Sequence, residues 1–195
     1  MFSEKHAQRA VKFFERVLVH TKGQWAGKPF ILLAWQRDLI RRMFGTLRED
    51  GLRQYRTVYV EVPMKQGKSE SAAGVALYLL LADGEQGAEV YGAAGDRDQA
   101  AIVYNVAADM CRMNPLLSKR VKIIDSTKRI LFPKTRSYYR ALSSETMTKH
   151  GYNVHGLIFD EMHVQKSRDL WDTLSKGVAA RRQPLIFIIT TAGIY

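Results

Sequence analysis

The chain has 195 residues, 46% of them hydrophobic and 25% charged, enough for one domain with a buried core. Its single cysteine, Cys111, excludes an internal disulfide and a cysteine-based zinc site and fits a reducing compartment. A net charge of +11 favours a polyanionic partner; the longest apolar run, VALYLLLA at 75–82, is far shorter than the ~20 residues of a membrane span, and no signal-peptide pattern opens the chain.

Residues 3–20 predict an amphipathic helix, because Ala7, Ala10, Val11, Phe14, Val17 and Leu18 recur at helical spacing. TKGQWAGKPF, 21–30, is a glycine-bearing loop, and LLAWQRDLIRRMFG, 32–45, a helix closed by Gly45. YRTVYVEVP, 55–63, is strand-like and stops at Pro63. A helix over 68–82 follows, then a strand in AEVYGAA and a second helix with Asp96 as its N-cap. Residues 121–142 read as short paired strands around turns. VHGLIFDE is a buried strand, SRDLWDTLSKGVAARR a helix and PLIFIITTAG another buried strand. Apolar strands alternating with helices predict a largely parallel sheet covered on both faces, which binds ligands at the carboxyl ends of its strands.

Four motifs sit at such ends or beside them. In VEVPMKQGKSESAAG, 61–75, Gly67 permits close approach of a phosphate, Lys68 supplies a charge for the β- and γ-phosphates, and the Ser69 hydroxyl suits Mg²⁺. Val62 stands where the pattern G-x-x-x-x-G-K-[ST] begins with glycine, so a surface turn with a solvated lysine is the alternative. GLIFDEMH, 156–163, ends an apolar run in two carboxylates that point to opposite sides of a strand. Asp160 is placed for a metal shell and Glu161 for activating water; a solvated acidic turn is the alternative. IFIITTAG, 186–193, ends in Thr190 and Thr191, hydroxyls fit to sense a γ-phosphate or β-branched residues that merely suit a strand. Gln36 could read an adenine edge with Trp35 as an apolar wall, or it could be an exposed glutamine beside a packed tryptophan.

AWQ at 34–36, VPMKQGKSE at 62–70, GLIFDEMH at 156–163 and TTAG at 190–193 come in the order found in the large terminase subunit of tailed bacteriophages. Over almost its whole length the chain resembles the ATPase domain of that family. The resemblance implies an α/β, three-layer P-loop NTPase fold of the ASCE/RecA-like kind, with a mostly parallel central sheet and helices on both faces. It implies an N-terminal helical and adenine-motif region at 1–54 and a P-loop core at 55–195. ATP and Mg²⁺ are the implied ligands. Gln36 would read adenine, and Lys65, Gln66, Gly67, Lys68, Ser69 and Glu70 would surround the nucleotide. Ser69 and Asp160 would hold the metal, Glu161 would be the catalytic carboxylate working with Lys68 and Asp160, and Thr190 and Thr191 would couple hydrolysis to movement.

The activity so implied is ATP hydrolysis that drives double-stranded DNA into a prohead in the host cytoplasm. The partners implied are the DNA, the small terminase subunit, the portal ring and further copies of the chain in a ring, with no membrane. Family loops such as PRKNGKS accommodate Val62. Met64, however, stands where many relatives have arginine, and the adjacent Lys65 lacks the bidentate fork. Full-length members carry a C-terminal RNase H-like nuclease domain; it is expected to be absent from this chain, which ends at Tyr195, so no DNA cleavage is expected. Arg97, Arg140 and Lys149 are candidates for a ring-facing cation, with surface salt bridges or solvation as the alternative. Two rival readings stand beside this one: a helicase-like nucleic-acid-dependent ATPase, since DEMH resembles the DEAH box, and a DNA-binding module independent of nucleotide.

Overall fold

Alternation decides the layers. In the computed structural model, which describes residues 1–63, 65–94, 96–143, 151–160 and 168–191, seven strands form one sheet in the order β1-β7-β6-β2-β5-β4-β3. These are β1 (Thr57–Val62), β2 (Glu89–Ala93), β3 (Lys122–Ile124), β4 (Arg129–Phe132), β5 (Ser137–Leu142), β6 (Val154–Asp160) and β7 (Leu185–Thr191). The pairs from β1 to β5 are parallel, and β3 and β4 are added antiparallel at one edge. Every residue of β6 and all but the last of β7 are buried, as strands covered on both faces require.

One face carries Val90, Tyr139, Ile158, Phe187 and Ile189. It packs against α1 (Glu4–Val17), α2 (Ala34–Gly45), α3 (Lys68–Leu81) and α4 (Arg97–Met113). The short α5 (Pro115–Ser118) follows α4. The other face carries Tyr91, Ala93, Leu142, Leu157, Phe159, Ile186 and Ile188 beneath Leu170 and Leu174 of α6 (Asp169–Gly177). The sheet is thus sandwiched between helices, as the strand-helix alternation predicts. The helical pattern read over 3–20 ends three residues early, at Val17, and Ser3 caps its start through a hydrogen bond from the His6 amide (3.5 Å). Asp96 caps α4 by accepting from the Gln99 amide (2.8 Å).

The N-terminal helices share the core of the sheet's α3 face. A Cβ on Gly74 of α3 would lie 2.3 Å from a Phe14 ring carbon, so glycine is what lets α1 press onto α3. At the opposite end of the sheet from the strand tips, Arg53 forks onto Asp83 (2.9 and 3.1 Å) and donates to the Gln183 carbonyl. His155, at the start of β6, donates from Nε2 to the same carboxylate (2.7 Å). Arg53, Asp83 and His155 are all buried. This cluster ties the segment before β1, the end of α3 and the start of β6 together.

Candidate active site

Strand register brings the predicted motifs to one edge. Val62 pairs with Thr191, Asp160 with Ile189 and Phe159 with Ala93, so β1, β7, β6 and β2 end side by side. Pro63 stops β1. The chain then turns through two left-handed residues, Lys65 (φ 64°) and Gly67 (φ 72°), before α3 begins at Lys68. A left-handed residue followed by helical ones aims successive amides inward, the geometry of an anion-binding nest. No side chain caps this end of α3, and the helix dipole adds partial positive charge there. Gly67 is needed twice: its φ disfavours a side chain, and a Cβ would lie 3.3 Å from Gln36 Nε2.

Lys68 donates from Nζ to the Thr191 hydroxyl at the tip of β7. Ser69 follows on the first turn of α3 and is half-buried. Asp160, 6% exposed, ends β6 on the same sheet face as Thr191, since the alternation that puts Ile158 and Ile189 toward α3 puts both there. Tyr139 lies on that face too. Burial pushes its hydroxyl pKa up, and the charges of Tyr104 and Asp160 add to the effect. Thr190, 3% exposed, falls on the opposite face. The two threonines therefore point to opposite faces, and Thr191 meets Lys68.

Gln36 is only 3% exposed. Its carbonyl accepts from the Leu33 amide (2.8 Å), and its amide donates to Ser71 Oγ (2.8 Å), which in turn donates to the Gly67 carbonyl (2.9 Å). Gln36 thus braces Gly67 as well as lining the cleft beside it. That cleft, about 740 Å³, lies between the turn and the segment from His20 to Leu33, within the range of small-ligand sites. Lys65, Gln66, Gly67 and Glu70 form one wall. Trp25, Ile31 and Leu33, all half exposed or more, belong to the other. Lys28 sits over the Trp25 ring (4.8 Å). The tryptophan at the cleft is therefore Trp25. Trp35, one position from Gln36 on α2, is turned about 100° away and packs against the core beside Phe14, Val75 and Phe187.

Glu70 does not face the turn alone. Its carboxylate accepts from His20 Nδ1 (3.0 Å) and from the Thr21 amide (3.2 Å), pinning the cleft's outer wall to the first turn of α3. Sequence reasoning misses His20, Thr21, Trp25 and Lys28. The one local signal for them is a tryptophan among glycines in a loop, where nothing buries it. Glu161, together with Met64, Lys149 and the side chain of Arg97, lies outside the described residues.

A family model described as terminase large subunit, ATPase domain, matches residues 34–195. The chain belongs to this family. Its relatives include the terminase large subunit of Enterobacteria phage HK97, 29% identical over 187 residues that span 94% of this chain and 36% of the relative. The crystal structure of the HK97 large terminase superposes with a TM-score of 0.82 at 28% identity, covering 97% of this chain and 38% of that one. The large terminase of a thermophilic bacteriophage, solved in complex with ADP, shares the fold, with a TM-score of 0.51 at 15% identity over 69% of this chain and 33% of that one. This terminase-family chain thus spans a little over a third of the length of its HK97 relatives. No helix among the described residues is long and apolar enough to cross a membrane.

Proposed function

We propose that this terminase-family chain binds ATP with Mg²⁺ and hydrolyses it, and that within a longer protein the hydrolysis drives double-stranded DNA into a prohead. The partners in that reading are the small terminase subunit, the portal ring and further copies of the chain in a ring, in the cytoplasm of the host. The observation that carries it is the junction of Gly67, Lys68 and Thr191: a left-handed turn that opens a 14-residue helix and sets an ammonium against the tip of β7.

The residues present fit both ligands. The amides at the start of α3 and Lys68 suit a triphosphate, with the cleft between Trp25, Leu33 and Gln36 beside them for the base. No group of three or more histidine, cysteine or acidic side chains is placed to cage a metal among the described residues. Magnesium is commonly held by one or two protein oxygens plus substrate phosphates, which suits the pair Ser69 and Asp160. When bound there, Mg²⁺ would offset the negative charge of the phosphates. Glu161, one residue beyond Asp160, orients and deprotonates the attacking water.

Lys68 links the tip of β7 to the phosphates in this reading. The Thr191 hydroxyl holds it in this structure, and phosphate oxygens, being charged, are stronger acceptors. With three N–H donors, Lys68 can bond a phosphate oxygen while still touching Thr191, so in this reading the tip of β7 registers nucleotide arrival through Lys68. Thr190, buried on the other face, passes the change toward α6 in this reading. Gln36 and Glu70 act as braces, one under Gly67 and the other beneath the wall that carries Trp25.

Lys68→Ala is expected to weaken Mg-ATP binding about ten- to a hundredfold, roughly 1.5–3 kcal/mol, the scale of a hydrogen bond to a charged group. Titration calorimetry on folded wild type and variant measures it. An unchanged affinity would remove Lys68 from the phosphates.

A further inference from the structure

The charge of the chain is not evenly spread. Residues 119–142 hold eight lysines and arginines against one acid, Asp125. They build β3, β4 and most of the β5 edge, an antiparallel flange on the side of the sheet farthest from β1. Asp125 is already taken: Arg112 donates to it from Nη2 (2.6 Å). Lys119, Arg120, Lys122, Lys134 and Arg136 are exposed.

Within the flange, Arg129 and Arg140 stand directly opposite each other on β4 and β5. Opposed residues of an antiparallel pair share a face with Cβ atoms about 5 Å apart, a position where like charges destabilise. Neither guanidinium forms an ion pair or a side-chain hydrogen bond among the described residues, and the Nε of each is buried without an acceptor. The acid two residues along on the same face, Glu89, is committed to the Tyr91 hydroxyl (2.7 Å) and the Asn153 amide (3.1 Å). Two cations held side by side without an ion-pair partner of their own among the described residues are stabilised by an anion laid across them.

We propose that this flange is a docking surface for the phosphodiester backbone of duplex DNA, with Arg129 and Arg140 at its centre and Lys122, Lys128 and Lys134 around them. The proposal rests on the reading of the chain as part of a DNA motor, which supplies the polyanion. The placement keeps DNA clear of the nucleotide. Arg140 shares its sheet face with Leu142, whereas Asp160 is on the other. Two strand spacings and three residues of rise separate the two positions by roughly 14 Å.

The test is fluorescence anisotropy of the 195-residue chain with a labelled duplex of about 20 base pairs across a salt series, since each lost phosphate contact lowers the log–log salt slope by about 0.9. Arg129→Gln/Arg140→Gln is expected to lower the slope by about 1–2 and the affinity at ~0.1 M salt about tenfold. Lys122→Gln/Lys134→Gln changes only exposed side chains, so folding is not at stake, and is expected to lower the slope to a similar extent. Lys5→Gln/Lys12→Gln removes the same charge from exposed positions on α1 and is expected to leave the slope within experimental scatter. Flange variants that bind like the wild type, or an α1 variant that loses as much, would overturn the proposal. So would tighter binding of polyglutamate than of duplex, which would assign the flange to an acidic protein. Mg-ATP affinity measured on the same preparations keeps the two readings apart: its absence would count against the nucleotide site and leave the salt slopes to judge the flange.

Discussion

Glu161→Gln should leave Mg-ATP binding intact and lower turnover by ~10²-fold or more, the usual contribution of a positioned general base. The substitution keeps shape and removes basicity. The expectation follows from a division of labour at the tip of β6. Asp160 is buried on the α3 face, the face of Thr191, whose hydroxyl receives Lys68, and in the proposed reading it serves the phosphates and their metal. The water then falls to the next carboxylate along the chain. Asp160→Asn is the matching control: it should raise the Mg²⁺ concentration needed for binding as well as slow turnover. Pre-steady-state phosphate release alongside equilibrium nucleotide binding separates the two. Normal turnover by Glu161→Gln, with an active wild type, would mean that the roles are misassigned.

The second large effect concerns stability and lies at the far end of the sheet. Asp83→Ala is expected to destabilise the fold by about 3–5 kcal/mol, because it leaves the buried Arg53 and His155 without their shared acceptor. Urea unfolding followed by circular dichroism measures it, and a loss below ~1 kcal/mol would show that the cluster is not a strut. The same carboxylate sets an acid limit. Burial pushes the Asp83 pKa up, but the charge of Arg53 and the hydrogen bonds from His155 and Arg53 outweigh it and hold it at about 2, below the ordinary 3.8. A depressed folded pKa means that the unfolded chain binds the proton more tightly. The stabilisation is therefore complete above the unfolded value and is lost as pH falls from about 4 through about 2. In Asp83→Asn that part of the acid sensitivity should disappear.

Much of the site is legible in the sequence because it is local. A β-branched strand, Pro63, Gly67-Lys68-Ser69 and an apolar helix are consecutive, so periodicity and turn chemistry locate the turn without tertiary information. The buried strands over 154–160 and 185–191 are legible for the same reason, as is the cap at Asp96. What stays hidden depends on partners far apart in sequence. Glu70 meets His20 across 50 residues, and Asp83 meets His155 across 72. The choice between Trp25 and Trp35 turns on what α2 packs against, which no window around Gln36 contains. The hairpin reading of 121–142 captures the antiparallel flange but not that β5 also pairs parallel with β2, because edge and central strands of this length look alike in isolation. The opposed pair Arg129 and Arg140 needs the register of β4 against β5.

The central claim is that these 195 residues hold a working ATP site at the strand tips. The most direct measurement is phosphate release from Mg-ATP by the purified chain, beside the same assay on Lys68→Ala. The account predicts slow but saturable hydrolysis, dependent on Mg²⁺ and abolished in the variant. Slow turnover is expected because a neighbouring subunit's arginine contributes ~10³–10⁵ to the rate in related phosphoryl-transfer enzymes. A folded chain that neither binds nor hydrolyses ATP at millimolar concentration, or one whose hydrolysis is unaffected by Lys68→Ala, would contradict it.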